Sequence, residues 1–316
     1  MSKVKAPKIK APRQKLLKRI WRARELYLLL ILPIVWLFIF KYTPMAGLQI
    51  AFRDYTHRGG IWGSEWVGFE NFRNFFSDRQ FGRLLINTLR ISLYSTTIGS
   101  LVPVLLALTI NVMRPGWFKK AVQTITYIPH FISVVVLVGM LVQLINPIVG
   151  LYGTISQVLT GQRPVDILSI PSAFPHLYIW SGIWQNAGWS SIIYVAALAN
   201  SDQQLHEAAQ IDGATRLQRV WHIDVPTILP TFIILMIMDI GHIMSVGFEK
   251  VFLLQNPTNL SYSQVLSTYV YAKSFGSGVP DFSFSTAAGM FNSVINLILI
   301  FAVNKFSKKV SDTSLW

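Results

Sequence analysis

The fold of this chain is decided by residues 201–230, which read SDQQLHEAAQIDGATRLQRVWHIDVPTILP and separate two long apolar stretches. Asp202 is placed to cap a helix that runs to Ile211, because a carboxylate accepts hydrogen bonds from the free N–H groups of a first turn. Gly213 is placed to end that helix in a left-handed conformation, which a side chain would penalise. A second helix is expected over 214–222. The segment therefore predicts a compact two-helix knob rather than a plain connector.

On both sides of this segment the chain is unusually apolar. Apolar residues make up 52% of the 316 residues, charged residues make up 13%, and the mean hydropathy is +0.44. Soluble domains carry about a quarter charged residues, so this composition argues against a water-soluble fold. A bilayer core of about 30 Å needs about 20 apolar helical residues. The sequence predicts an all-α membrane domain over 25–304, with six spans at about 25–50, 84–112, 119–145, 174–199, 224–254 and 283–304.

The distribution of basic residues predicts the orientation of the spans. Ten of the 28 Lys and Arg lie within residues 1–24, and the loops on the same side raise that face to 18, against seven on the other. Because Lys and Arg concentrate on the cytoplasmic side, both termini are predicted to be cytoplasmic. We expect a basic tail over 1–24 with an interfacial helix over 15–24, and a second tail over 305–316. No nucleic-acid-binding module accompanies the tail, so its charge indicates an anionic lipid surface instead.

Several kinds of chemistry have no support in the sequence. The chain has no cysteine, which excludes disulfides, thiol catalysis and thiolate metal sites. Its six histidines are scattered and form no metal-binding His-Glu-x-x-His helix. Neither a phosphate-binding Gly-rich loop ending in Lys-Ser or Lys-Thr nor a Gly-x-Ser-x-Gly nucleophile motif occurs. We therefore expect a non-catalytic chain with no metal and no bound cofactor, and an intramembrane enzyme is disfavoured.

Aromatic residues mark the loop after the first predicted span. Residues 51–83 combine eight Trp and Phe side chains with mixed charges. Phe69, Phe72 and Phe76 recur at helical spacing, which predicts a short amphipathic helix packed on the bundle or on the outer leaflet.

Polar side chains inside the predicted spans are the candidates for substrate contact, because burying such groups in a membrane is costly. A sugar presents apolar C–H faces edged by hydroxyls, which aromatic rings and amides match together. Two other roles remain open, because Trp also forms the interfacial belt and Asn or Gln also join helices. Asp239 and His242, three residues apart, suit either a local bond or a proton relay. The candidates are Trp180, Trp184, Gln185, Asn186, Trp189, Asp239, His242, Glu249, Asn292 and Asn296.

The knob, residues 201–223, resembles the cytoplasmic signature of the permeases of binding-protein-dependent ABC importers. That signature reads Glu-Ala-Ala, three residues, Gly, and downstream Ile-x-Leu-Pro. Val225 stands where the family prefers Leu. Residues 66–72 (WVGFENF) and 87–89 (NTL) are similar to the sugar-importing branch, and 127–133 (YIPHFIS) to its oligosaccharide and polysaccharide subgroup, which includes alginate and pectin-fragment importers. The residues in register are Glu207, Ala208, Ala209, Asp212, Gly213, Ala214, Ile223 and Pro226.

This resemblance implies a type I ABC importer permease of the bacterial plasma (inner) membrane, carrying an oligosaccharide or polysaccharide. It implies a second homologous permease, expected as a heterodimer, two ATP-binding subunits that use ATP and Mg²⁺, and an extracytoplasmic solute-binding protein. Glu207 is expected to pair with a basic group of an ATPase subunit, with Gly213 setting the turn. Two alternatives stay open: a permease for another solute class, and a proton-coupled carrier that uses Asp239 and His242.

Overall fold

The computed structural model describes residues 18, 20–276 and 278–310, so most of the predicted tail over 1–24, half of the predicted tail over 305–316, and residues 15–17 and 19 of the predicted interfacial helix lie outside the described residues. The described chain is almost entirely helical. Two-residue strands β1 (Arg53–Asp54) and β2 (Glu65–Trp66) pair antiparallel. The helices are α1 (Arg24–Leu37), α2 (Gly60–Gly63), α3 (Glu70–Ser77), α4 (Phe81–Val112), α5 (Trp117–Tyr127), α6 (Val134–Leu144), α7 (Leu151–Thr160), α8 (Phe174–Ala199), α9 (Gln203–Ile211), α10 (Arg216–Arg219), α11 (Val225–Gly241), α12 (Phe248–Leu254), α13 (Leu260–Ser263), α14 (Leu266–Phe275) and α15 (Phe282–Val310).

Most of the predicted spans are present as long apolar helices. Within the described residues, four helical runs are long and apolar enough to cross a membrane, namely Arg24–Phe52, Phe81–Val112, Arg216–Gly241 and Phe282–Lys309, and a bent pair makes a fifth. The predicted fourth span corresponds to α8, which has 26 residues. Its Trp, Tyr, Gln and Asn side chains make α8 less apolar than the others, so its crossing of the bilayer stays a prediction.

The third span is broken, where the sequence predicts one helix over 119–145. Trp117–Phe131 and Val134–Leu144 meet at an angle of 102°. Pro129 supplies no N–H to a helix, and Ile132 is extended. The side chain of Ser133 then caps the new helix by accepting a hydrogen bond from the N–H of Val136 at 3.3 Å.

The fifth span is shorter than the predicted 224–254. Its helix ends at Gly241, the chain turns, and α12 begins at Phe248. Asn296 of α15 holds this turn, because its amide accepts a hydrogen bond from the N–H of Met244 at 3.1 Å and donates one to Ser245 Oγ at 2.9 Å. Residue 249 therefore lies beyond the end of the fifth span. The last helix, α15, runs past the predicted end at 304 to residue 310.

The core joins α4 to α8, and the outer end of the bundle is closed by aromatic side chains. Gly188 of α8 lies directly against the backbone carbonyl of Thr126 in α5, an approach that only a residue without a side chain allows. At the outer end, Phe75 of α3 is fully buried against Phe81, Phe284 and Phe291. This confirms the predicted amphipathic helix and places it on the bundle.

Candidate functional site

The first half of the knob has the predicted geometry. The side chain of Asp202 accepts a hydrogen bond from the N–H of Gln204 at 2.9 Å and so caps α9. Gly213 has φ +80°, the left-handed conformation that a side chain disfavours. The N–H of Ala214 then donates to the carbonyl of Ala209 at 2.8 Å and closes the helix end.

The second half of the knob differs from the prediction of a helix over 214–222. The helix begins at Arg216, because Thr215 and Gln218 form a reciprocal capping box around its first turn. It does not end before Pro226 but passes through a π turn at Val220–Asp224 into α11. A proline inside a helix lacks its N–H and collides with the carbonyl four residues earlier, and the wider π turn relieves that collision. The knob is therefore joined to the fifth span by a continuous helix.

The signature residues of the knob divide between an exposed face and an inner face. Glu207, Ala208 and Asp212 are exposed, and Ile211 at the end of α9 is 86% exposed. Ala209, Ala214 and Ile223 are half-buried, while Pro226 is exposed beyond the π turn. The exposed face offers the carboxylates of Glu207 and Asp212, a small alanine and an apolar tip to any partner that docks there.

A buried polar cluster fixes the knob to the bundle. Asp224 is 2% exposed, and its Oδ1 accepts a hydrogen bond from Asn111 Nδ2 at 3.1 Å and pairs with His206 Nε2 at 3.3 Å. The three side chains belong to the end of α4, to α9 and to the π turn before α11. Sequence reasoning missed this cluster, although a carboxylate at the start of a long apolar helix is itself a signal of a special role.

A cavity of about 640 Å³ lies between α4, α8, the end of α11 and the start of α12. It brings together five of the predicted substrate-path residues from three separate segments. Polar groups of α4, including Ser95 and Thr96, complete the wall. The five are Gln185, Asn186, Asp239, His242 and Glu249.

Other predicted candidates do not line this cavity. Trp180 is exposed and donates its indole N–H to the hydroxyl of Tyr94 at 3.0 Å, and Trp184 is exposed as well. Trp189 stacks on the ring of His130 at 4.6 Å. Asn292 lies on α15, where its Oδ1 is buried without a hydrogen-bond partner among the described residues. Asn296 holds the turn after α11.

Two of the cavity amides also brace the broken third span. Gln185 Nε2 donates to the carbonyl of Ile132, freed at the break, at 2.7 Å. Asn186 Oδ1 accepts from His130 Nδ1 at 3.0 Å. The helix-joining role that the sequence left open for these amides is thus realised, in side chains that also face the cavity.

The side chains of Asp239 and His242 do not form the local bond that the sequence left open, although the backbone N–H of His242 donates to the carbonyl of Asp239 at 3.0 Å. His242 donates its Nδ1–H to the carbonyl of Met238 at 2.9 Å instead. In the part of the chain that the structure describes, His206 and Asp224 are the one pair of opposite ionisable groups within 4.0 Å. Residues three apart on a helix end can separate when the chain turns, as it does at Gly241.

Lys250 is a cavity residue that sequence reasoning missed. It is 8% exposed, and its Nζ donates to the carbonyl of Tyr178 at 2.8 Å and lies 5.0 Å from the centre of the Tyr178 ring. The rule that selected Glu249, an ionisable group inside an apolar stretch, applies equally to its neighbour. Among the described residues, no group of three or more His, Cys, Asp or Glu is arranged to hold a metal ion.

Comparison with known proteins places this geometry in a family. The model of the "Binding-protein-dependent transport system inner membrane component" family matches residues 99–312. Protein LplB of Bacillus subtilis (strain 168) is 40% identical over 295 residues, covering 93% of this chain and 92% of LplB. The polygalacturonan/rhamnogalacturonan transport system permease protein YteP of the same bacterium is 40% identical over 307 residues, covering 97% of this chain and 95% of YteP.

The likeness extends to solved structures. The structure of a bacterial ABC transporter involved in the import of the acidic polysaccharide alginate contains a chain that aligns with a TM-score of 0.85 and 39% identity. The alignment covers 94% of this chain and 99% of that chain. A second structure, of bacterial alginate ABC transporter in complex with alginate pentasaccharide-bound periplasmic protein, aligns with a TM-score of 0.86 over 95% of this chain.

The family match spans the knob, the cavity lining apart from Ser95 and Thr96, and the last span, and the structural likeness extends it over nearly the whole chain. The chain belongs to the binding-protein-dependent transport system inner membrane components, as a multi-pass, non-catalytic permease subunit of a bacterial ABC importer with the type I fold.

Proposed function

We propose that this permease forms half of the translocation pathway for an acidic oligosaccharide of the pectin or alginate type. The observation that carries the proposal is the cavity of about 640 Å³, which combines amides, hydroxyls and ionisable groups along its wall. Amides and hydroxyls match the hydroxyl edges of a sugar ring. The substrate class follows YteP, named for polygalacturonan and rhamnogalacturonan, and the alginate importer, whose substrate is described as acidic.

The cavity has an open side, and we assign that side to a second, homologous permease. A heterodimer is the expected pairing. A solute-binding protein delivers the oligosaccharide to the outer face, where the short segments around α2, α3 and the β1–β2 pair are available to receive it. Gln185, Asn186, Asp239, His242 and Glu249 are the residues we assign to the substrate path.

We assign the coupling to ATP hydrolysis to the knob. We assign the exposed face around Glu207 to a cleft of one of two ATP-binding subunits, with the carboxylate paired to a basic group there. Two connections transmit a movement of α9 to the spans. One is the continuous helix from Arg216 to Gly241, and the other is the Asp224 cluster, which joins α9 to α4. ATP-driven closure of the ATPases then alternates the cavity between outward-open and inward-open states.

Uptake into proteoliposomes tests this function. The complex of this chain, its partner permease, the ATP-binding subunits and the solute-binding protein is reconstituted, and uptake of a labelled oligogalacturonate or alginate oligosaccharide is measured. We expect uptake only when ATP is present on the side of the membrane that carries the ATP-binding subunits. The solute-binding protein must be present on the opposite side. Uptake without ATP, driven by a pH gradient, would identify a proton-coupled carrier and overturn the proposal.

The substrate class is tested in the same vesicles. Uptake of an uncharged amino acid or a glycerol phosphate, without uptake of any saccharide, contradicts the saccharide assignment and leaves the importer standing. Glu249→Gln removes a negative charge from the cavity, so we expect a lower KM for an acidic oligosaccharide than in the wild type. Glu25→Gln removes the same charge from an exposed position at the start of α1, outside the cavity, and serves as the matched control.

A further inference from the structure

Two further cavities lie at the cytoplasmic end of the bundle, away from the substrate path. One is an apolar groove of about 1210 Å³ between α4, the 113–118 segment and the start of α10 and α11. The other is a polar cavity of about 600 Å³ beside the knob. Both are lined by residues 112–115, Arg216 and Val220, so they form one continuous depression. Neither shares a lining residue with the substrate-path cavity.

The polar cavity carries an excess of positive charge. Arg114, Lys119, Arg216 and Arg219 line it, and none of them lies within 4.0 Å of a carboxylate among the described residues. Asp224 is the acidic residue of this lining, and its Oδ1 is already engaged by the polar cluster that joins the knob to α4.

Two further groups of the depression, one in the polar cavity and one at its rim, suit an anion. The Nε of Arg219 is buried and has no hydrogen-bond partner in the described part of the chain. Helix α5 begins at the rim of the depression, and no side chain caps its first turn. The free N–H groups and the positive end of a helix favour a bound anion such as a phosphate.

The apolar groove extends from this basic cavity towards the membrane-spanning part of the chain. Leu101, Leu105 and Leu217 line it and are exposed in this chain. Trp117, 80% exposed, and Trp221, 63% exposed, line it as well. Tryptophan favours the depth of the lipid headgroups, and the groove begins where the apolar run Phe81–Val112 ends.

We propose that this depression binds one anionic phospholipid of the cytoplasmic leaflet. An acyl chain fills the apolar groove, and the phosphate lies among the four basic side chains. Basic pockets between spans on the cytoplasmic side are suited to such headgroups. A second copy of this chain fits less well, because the chain carries a net charge of +14 and the site itself has an excess of basic side chains.

Lipid retention by the intact importer complex tests the site. The complex is purified into nanodiscs containing phosphatidylglycerol or phosphatidylcholine, and bound lipid is measured by native mass spectrometry. Each basic side chain near an anionic headgroup contributes on the order of 5-fold in affinity, so R114Q/R216Q should weaken phosphatidylglycerol binding about 30-fold. K308Q/K309Q removes two exposed charges from the cytoplasmic end of α15 and should leave binding unchanged.

A variant of the groove separates a lipid from other occupants. Leu105→Trp fills the groove and should release phosphatidylglycerol while the basic cavity stays intact. A benzophenone attached to Leu105→Cys, which is a unique thiol in this cysteine-free chain, should label lipid. Labelling of the partner permease instead, equal retention of phosphatidylcholine, or displacement by soluble glycerol phosphate each overturns the proposal.

Discussion

Gly213→Ala tests how far the knob depends on one backbone conformation. Gly213 has φ +80°, and a Cβ built there meets nothing within 4 Å. The substitution therefore adds no steric clash with the rest of the protein, only the intrinsic cost of a left-handed residue, about 1–2 kcal/mol. At about 1.4 kcal/mol per factor of ten, the docking geometry of the knob becomes about 5- to 30-fold less populated relative to other loop conformations. The apparent affinity for the ATPase subunit falls by up to this factor, in proportion to the loss in the fraction of knobs that hold the docking geometry.

The assay is ATP-driven uptake together with co-purification of the ATPase subunits. We expect Gly213→Ala to insert normally, to retain fewer ATPase subunits and to transport more slowly, and Gly213→Asn to lose less because Asn tolerates this conformation. Gly161→Ala is the matched control, since Gly161 has φ +71° and also meets nothing within 4 Å, but ends α7 outside the knob. Wild-type uptake by Gly213→Ala, or an equal loss in Gly161→Ala, refutes the reasoning.

Three further predictions concern the knob, its buried cluster and the helix packing. Glu207→Gln keeps the shape of an exposed side chain and removes its charge, so it should lower ATPase binding while the thermal stability of the purified permease stays unchanged. Asp224→Ala removes the buried partner of the half-buried Asn111 and His206 side chains, which should cost about 1–3 kcal/mol in unfolding assays. Gly188→Ala forces α8 away from the backbone of α5 and should lower the yield of folded permease, whereas Gly139→Ala, with open space around it, should not.

The features that the sequence predicted well depend on local chemistry. The cap at Asp202 and the left-handed Gly213 act within one or two turns of the chain, so residue type and spacing were sufficient. The start of the second helix was predicted two residues too early, at 214 instead of Arg216. The Thr215–Gln218 capping box was legible in the sequence and would have placed it correctly.

The features that the sequence missed depend on distant partners. The fifth span ends at Gly241 because Asn296 of another helix holds the following turn. The Asp224 cluster joins three elements, and the carbonyl freed at the broken third span is satisfied by Gln185. Hydropathy shows how long an apolar stretch is. It does not show which side chain of another helix will stabilise a break within that stretch.

Cross-linking from the tip of the knob tests the central claim most directly. The chain has no cysteine, so Ile211→Cys on the 86% exposed tip places a unique maleimide–diazirine label in this subunit. Val279→Cys, at a position 94% exposed in the outer segment before α15, is the matched control. The account predicts that Ile211→Cys labels an ATP-binding subunit in the assembled importer and that Val279→Cys does not. Failure of Ile211→Cys to label that subunit in an actively transporting complex would contradict it.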